Sequence, residues 1–148
     1  MPCKILEKII VSHLTEYLNQ HNLLSEHQFG FRKGKNTELA AMRVVDRIMP
    51  AVRDKKFSIC VFLDFSKCFD TIDREILFEK LSRYGVRGVS LELLVAYYDN
   101  RVQYVNINNF NSRALEQNLG VIQGSKTGPT FSDIYSNDLS NNKIFDIK

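Results

Sequence analysis

Apolar residues recur at helical spacing over residues 4–19. Ile5, Leu6, Ile9, Ile10, Leu14, Tyr17 and Leu18 fall on one broad stripe, which predicts an amphipathic helix. Residues 25–36 lose that period, contain Gly30 and Gly34, and read as a loop. Asn36 or Thr37 is suited to cap a second helix running toward Pro50, where a fixed φ and a missing N–H predict an end or a kink. Residues 57–64, Phe-Ser-Ile-Cys-Val-Phe-Leu-Asp, form the most apolar short run; its length and β-branched content predict a strand buried on both faces. Helical spacing resumes from Asp73 to Tyr84, with Asp73 as N-cap and Gly85 as C-cap. Ser90 predicts the cap of another helix carrying Leu91, Leu94, Val95 and Tyr98. Residues 101–107 and 114–122 read as two strands joined by an Asn-rich turn at 108–112. Gly120, Gly124 and Gly128 punctuate a loop, and Pro129 opens a last helix reaching about Leu139. Helices followed by strands mixed with helices, including a hairpin, predict an α+β fold with an antiparallel component rather than a doubly wound parallel sheet.

Composition narrows the class without naming a function. The chain has 148 residues, 44% of them hydrophobic and 25% charged, which suits one domain or a piece of a larger one and excludes a disordered chain or a rod. No run approaches the ~18 apolar residues of a membrane span, and the N-terminus has charges inside its apolar run, unlike a secretory signal. Cys3, Cys60 and Cys68 are odd in number and lack C-x-x-C spacing. They read as free thiols of a reducing, intracellular compartment, cytoplasmic or nuclear. His13, His21 and His27 have no metal-ligand spacing. Net charge is +3, and the basic excess lies within residues 1–84, densest at Arg32-Lys33-Gly34-Lys35. That bias permits nucleic-acid binding without requiring it.

Three segments carry candidate chemistry. Asp64 ends the apolar strand, where a carboxylate is costly unless paired, hydrogen-bonded or bound to a hard cation such as Mg²⁺. The residues alone leave metal binding and capping of the following turn equally open. Asp70 and Asp73 suit turn and cap roles. An aspartyl-phosphate phosphatase would want a second Asp two residues after Asp64, and Ser66 stands there. In Gln28-Phe29-Gly30-Phe31-Arg32-Lys33-Gly34-Lys35, three cations precede a helix N-terminus, a place that favours anions, although a solvated basic turn has the same composition. The third segment, Gly120 to Pro129, lacks the G-x4-G-K-[ST] order of a P-loop; it is a glycine-hinged entry to a helix that exposes amides and hydroxyls.

In order and spacing these elements resemble the reverse transcriptase of non-LTR retrotransposons of the jockey-like or LINE-like kind. The likeness runs through KILEKIIVSHLTEYL, NLLSEHQFGFRKGKNT, VFLDFSKCFDTIDREILFEKLSRYGVRG, NRVQYVNIN and GVIQGSKTGPTFSDIYSNDL, roughly residues 4–140. The resemblance implies a right-hand polymerase, with residues 1–56 in the fingers, 57–72 a palm strand and turn, 73–100 helical, and 101–140 a hairpin, the Gln-Gly loop and its helix. The partial sheet would be an antiparallel palm sheet. It implies that Asp64 is a catalytic ligand of two Mg²⁺ ions, with the Phe65 carbonyl as a further ligand. Phe69 would exclude a ribose 2′-OH. Arg32 and Lys33 would meet the incoming deoxynucleoside triphosphate, and Gln123 and Gly124 would support nucleotide and template. The implied reaction is attack of a primer 3′-hydroxyl on the α-phosphate, directed by an RNA template.

The chain departs from the family's pattern at Ile122 (usually Pro), Thr127 (usually Leu) and Cys68 (usually Ala), and has Ser132 and Asp133 where the last helix is normally apolar. The family's aromatic-Ala-Asp-Asp box does not occur in these residues. The expectation is therefore a fragment that does not polymerise by itself, with an unpaired palm edge and poor solubility. The alternatives are a non-catalytic nucleic-acid- or protein-binding remnant and, third, a small metal-dependent phosphatase.

Overall fold

The computed structural model describes residues 2–141. Helices α1 (Pro2–Gln20) and α2 (Thr37–Arg53) come first, then α3 (Arg74–Arg83) and α4 (Val89–Tyr98). Four two-residue strands follow: β1 (Val102–Gln103), β2 (Asn106–Ile107), β3 (Phe110–Asn111) and β4 (Leu115–Glu116). Helix α5 (Thr127–Ser136) runs into a 3-10 turn at Asn137–Asn141. The architecture is α+β, and its strand pairs, β1 with β4 and β2 with β3, are antiparallel.

Helix α5 is the centre of the packing. It lies against both α1 and α3, and α4 packs on α3. Leu14 and Leu18, Leu77 and Leu81, and Leu94 and Tyr98 are each four residues apart, so each pair presents one stripe to the core that also holds Phe131 and Ile134 of α5. Ile72 and Val121 close this core from the loops. Asp73 caps α3, its carboxylate accepting from the N–H groups of Glu75 and Ile76. Gly85 ends α3 at φ +96°, with Val86 N–H bonded to the Leu81 carbonyl and Gly85 N–H to that of Ser82. That pair of bonds is the Schellman ending, which a left-handed glycine allows.

Several expectations are corrected. The α1 stripe is buried only at its C-terminal end: Ile5, Leu6 and Ile9 are exposed, whereas Glu7 is buried, because α5 crosses the helix along the line of Glu7, Leu14 and Leu18. Helix α2 continues one turn past Pro50 to Arg53. It has no buried residue, so a backbone bond missing at Pro50 breaks no packed layer. Gly88, not Ser90, occupies the N-cap of α4. The hairpin turns at Asn108 and Asn109, both at positive φ, in a two-residue loop, and 110–111 pair as a strand. Helix α5 begins at Thr127, which puts Pro129 third in the helix, where its N–H would have no intrahelical acceptor.

The largest correction concerns residues 57–64. They form no strand and are exposed throughout. A strand exists only through hydrogen bonds to a neighbour, and among the described residues none lies alongside. Among the described residues helix α2 likewise packs on no other element, although Leu39, Met42, Val45, Met49 and Val52 make an apolar stripe along it.

Candidate functional site

Two segments 50 residues apart form the best-defined part of the site. Val121 N–H donates to the Phe69 carbonyl (2.8 Å) and Gly120 N–H to that of Ile72 (2.7 Å), which fastens the Gly120–Gly124 loop to the turn ahead of α3. The approach is possible only at a glycine. Gly120 has φ +79°, and a Cβ there would sit 2.7 Å from the Asp70 carbonyl oxygen. Beyond it, the Gln123 side-chain amide donates to the Asp70 carboxylate at 2.7 Å. Gly124 also has a positive φ, +75°, but open space surrounds it. Ser125, one residue before the N-cap Lys126, accepts from Gly128 N–H in the first turn of α5.

Arg74 reinforces this joint. It is buried at the start of α3 and donates to the carbonyls of Gly120 (2.8 Å), Tyr98 (2.9 Å), Gln117 (2.5 Å) and Leu119 (3.3 Å), with its guanidinium over the Tyr98 ring. One side chain thus ties α3, the end of α4 and the approach to the loop. Glu7 performs a similar task from α1. Its carboxylate accepts from the Tyr97 hydroxyl and from Lys126 N–H (2.9 Å) at the entry to α5. Burial acts to raise the Glu7 pKa; those two bonds, with Lys4 and Arg101 nearby, outweigh it and hold the carboxyl below the usual range. Burial and the bond to Glu7 push the Tyr97 hydroxyl up.

The cationic loop lies beside the same joint. Phe31, at φ +51°, meets Phe69 edge to face with ring centroids 6.1 Å apart. The Gln28 amide donates to Asp133 on α5 at 2.7 Å. Arg32 donates to the Ser25 carbonyl (2.7 Å), and Lys35 bonds the Glu26 carbonyl and lies over the Phe29 ring. Burial, and then Arg32, lower the Lys35 pKa. A cleft of about 900 Å³ separates this loop from α2, lined by Arg32, Lys35 and Arg43, with Glu26 and Asp46 on its walls. Asp133 and Ser132 point inward but are partnered: Ser132 Oγ lies 3.5 Å from Cys68 Sγ. Burial raises the Asp133 pKa to about 6, while the Gln28 bond and Arg32 pull the other way.

The structure therefore brings Phe69 and Gln123 into one unit, with the loop of Arg32 and Lys33 touching it through Phe31. Asp64 and Phe65 stand apart, on the exposed stretch before the turn. Among the described residues none donates a hydrogen bond to Asp64, so it does not cap the turn at 66–70. Among them no group of three or more His, Cys, Asp or Glu side chains is placed to hold a metal ion. A two-metal site needs several carboxylate oxygens, and these residues alone do not fit one. Glu7 and Arg74 escaped the reading of the sequence. The only trace of Glu7 is a charge inside an apolar stripe; Arg74 left none.

The family described as reverse transcriptase (RNA-dependent DNA polymerase) matches residues 1–144. The chain is 30% identical over 142 residues to a Drosophila melanogaster protein described as the probable RNA-directed DNA polymerase from transposon BS. It is 27% identical over 136 residues to the RNA-directed DNA polymerase from mobile element jockey, and 30% identical over 136 residues to the probable RNA-directed DNA polymerase from transposon X-element, both of the same fly. Each alignment covers 92% of this chain but 15% of the relative, so the chain spans about a seventh of the length of these curated relatives.

Proposed function

The chain belongs to the reverse transcriptase family, and we propose that it is the fingers and N-terminal palm portion of an RNA-directed DNA polymerase of a retrotransposon. In this reading residues 1–56 are fingers, 57–72 the palm strand and turn, 73–100 helical, and 101–140 the hairpin and the Gln-Gly loop with its helix. Asp64 supplies one carboxylate, and the Phe65 carbonyl one oxygen, to a divalent-ion site whose other ligands lie outside the described residues. Phe69 lies against the deoxyribose and excludes a 2′-OH, since a ring in van der Waals contact leaves no room for another oxygen. Arg32, Lys33 and their loop meet the triphosphate, and Gln123 and Gly124 support the base pair formed with an RNA template. The 148 residues alone are proposed to be inactive in DNA synthesis, because one carboxylate does not hold two Mg²⁺ ions.

The observation that carries the reading is the joint between Phe69–Asp70 and Gly120–Gln123, with Phe31 against Phe69. Residues with no reason to meet in an arbitrary helical domain converge on one corner, and the loop that carries Phe31 also supplies Arg32 and Lys35 to the cleft. The test uses a longer polypeptide that continues through the rest of the polymerase domain. Asp64→Asn is expected to abolish DNA synthesis on an RNA template, and Phe69→Ala to admit ribonucleotides. An Asp64→Asn protein that still extends a primer overturns the catalytic assignment. A nucleic-acid-binding remnant would instead show unchanged affinity in that variant and no synthesis from any version.

A further inference from the structure

Asp133 is 4% exposed on the most enclosed helix of the molecule, a costly place for a carboxylate without a compensating bond. That bond comes from Gln28, 105 positions away, at 2.7 Å. The other ties of the cationic loop are mostly local. Arg32 reaches the Ser25 carbonyl and, at 3.4 Å, Asn19; Lys35 reaches the Glu26 carbonyl. These bonds shape the loop and brace it on the end of α1, and none of them reaches α5. They also occupy two of its three cations. Lys33 is exposed and, among the described residues, bonds to none. A small cavity of about 50 Å³ lies where loop, α1 and α5 meet, and Asp133, Arg32, Lys33 and Phe31 all border it.

We propose that the Gln28–Asp133 hydrogen bond anchors the cationic loop 28–35 to α5, and that both are positioning residues which set where Lys33 meets a phosphate. The proposal rests on the reading of this loop as the triphosphate contact. A carboxylate suits the anchor better than an apolar side chain because it accepts a strong bond and faces the Arg32 charge. The edge of Phe31 on Phe69 then carries the loop's position to the neighbouring turn.

The test follows hydrogen exchange in residues 25–36 of this chain at pH 7.5, with α3 as internal reference, together with binding of inorganic tripolyphosphate. Gln28→Glu removes the donor and sets carboxylate against carboxylate at constant volume. Loop exchange is expected to rise roughly tenfold with α3 unchanged, and tripolyphosphate affinity to fall by at least about threefold. Gln28→Glu combined with Asp133→Asn rebuilds the bond with donor and acceptor exchanged. Both readouts are expected to return to within about twofold of the original, a rescue that packing alone does not produce. The proposal is overturned if Gln28→Glu behaves like the unaltered chain, if the exchanged pair stays as open as the single variant, or if exchange responds and tripolyphosphate binding does not. Lys33→Ala separates this from the underlying reading: it is expected to lose tripolyphosphate binding with loop exchange unchanged. Should Lys33→Ala bind undiminished while the anchor variants open and rescue the loop, the anchor stands and the phosphate assignment fails.

Discussion

Gln123 and Asp70, 53 positions apart, are joined by a hydrogen bond of 2.7 Å between a side-chain amide and a carboxylate. The bond is exposed and worth little by itself. It marks a place where backbone has already been brought against backbone, and that contact is set by the glycine three residues earlier.

Gly120 is therefore expected to be intolerant. Gly120→Ala combines a left-handed φ with a Cβ 2.7 Å from the Asp70 carbonyl oxygen, and is expected to cost about 2–4 kcal/mol. Gly124→Ala has the φ without the contact and is expected to cost about 1 kcal/mol. Urea unfolding of the two variants distinguishes them; equal losses would show that the loop is not pressed against the turn.

Arg74→Met keeps an unbranched apolar stem in place of the arginine methylenes and removes every donor to its four carbonyls. A loss of about 2–4 kcal/mol is expected, since carbonyls desolvated by the fold keep no partner. Arg74→Lys is expected to recover less than half of it, because an ammonium does not span the fork. Full recovery by lysine, read from denaturant midpoints, would reduce Arg74 to a point charge.

Asp133 gives the stability a pH dependence of unusual sign for a carboxylate. Its folded pKa, about 6, lies above the ordinary value of 3.8, so the folded chain holds a proton that the unfolded chain has released. Stability falls as pH rises from about 4 to about 6 and is level above that. Asp133→Asn removes this dependence and is expected to add about 1–3 kcal/mol at pH 7.5 and nothing near pH 3.5. Thermal melts at the two pH values check it; a variant weakened at pH 7.5 would mean that the ionised carboxylate gains more from Gln28 and Arg32 than it loses by burial.

The uncovered segment 57–65 and the apolar stripe of α2 are expected to make the 148-residue chain self-associate. Ile59→Lys with Phe62→Lys places charges on side chains that are 87% and 83% exposed, so it removes no packing. Light scattering is expected to fall at least several-fold with the melting temperature unchanged. Unaltered association would move the sticky surface elsewhere.

Local chemistry was legible in the chain itself. Caps and stops such as Asn36, Asp73 and Gly85 act on backbone groups within four residues, so neighbours in sequence suffice to place them. The helical stripes of α3 and α4 follow from spacing, and the order of the motifs carried the family. Which part of a stripe is covered is a different question, because burial depends on what crosses it. Ile5 and Ile9 look like core and face water, Glu7 looks like surface and caps α5, and residues 57–64 read as a buried strand yet have nothing alongside. The fork of Arg74 and the meeting of Asp133 with Gln28 each need two segments from far apart in the chain. Only the packing of α1 and α3 on α5 brings those segments within reach, and no local pattern encodes it.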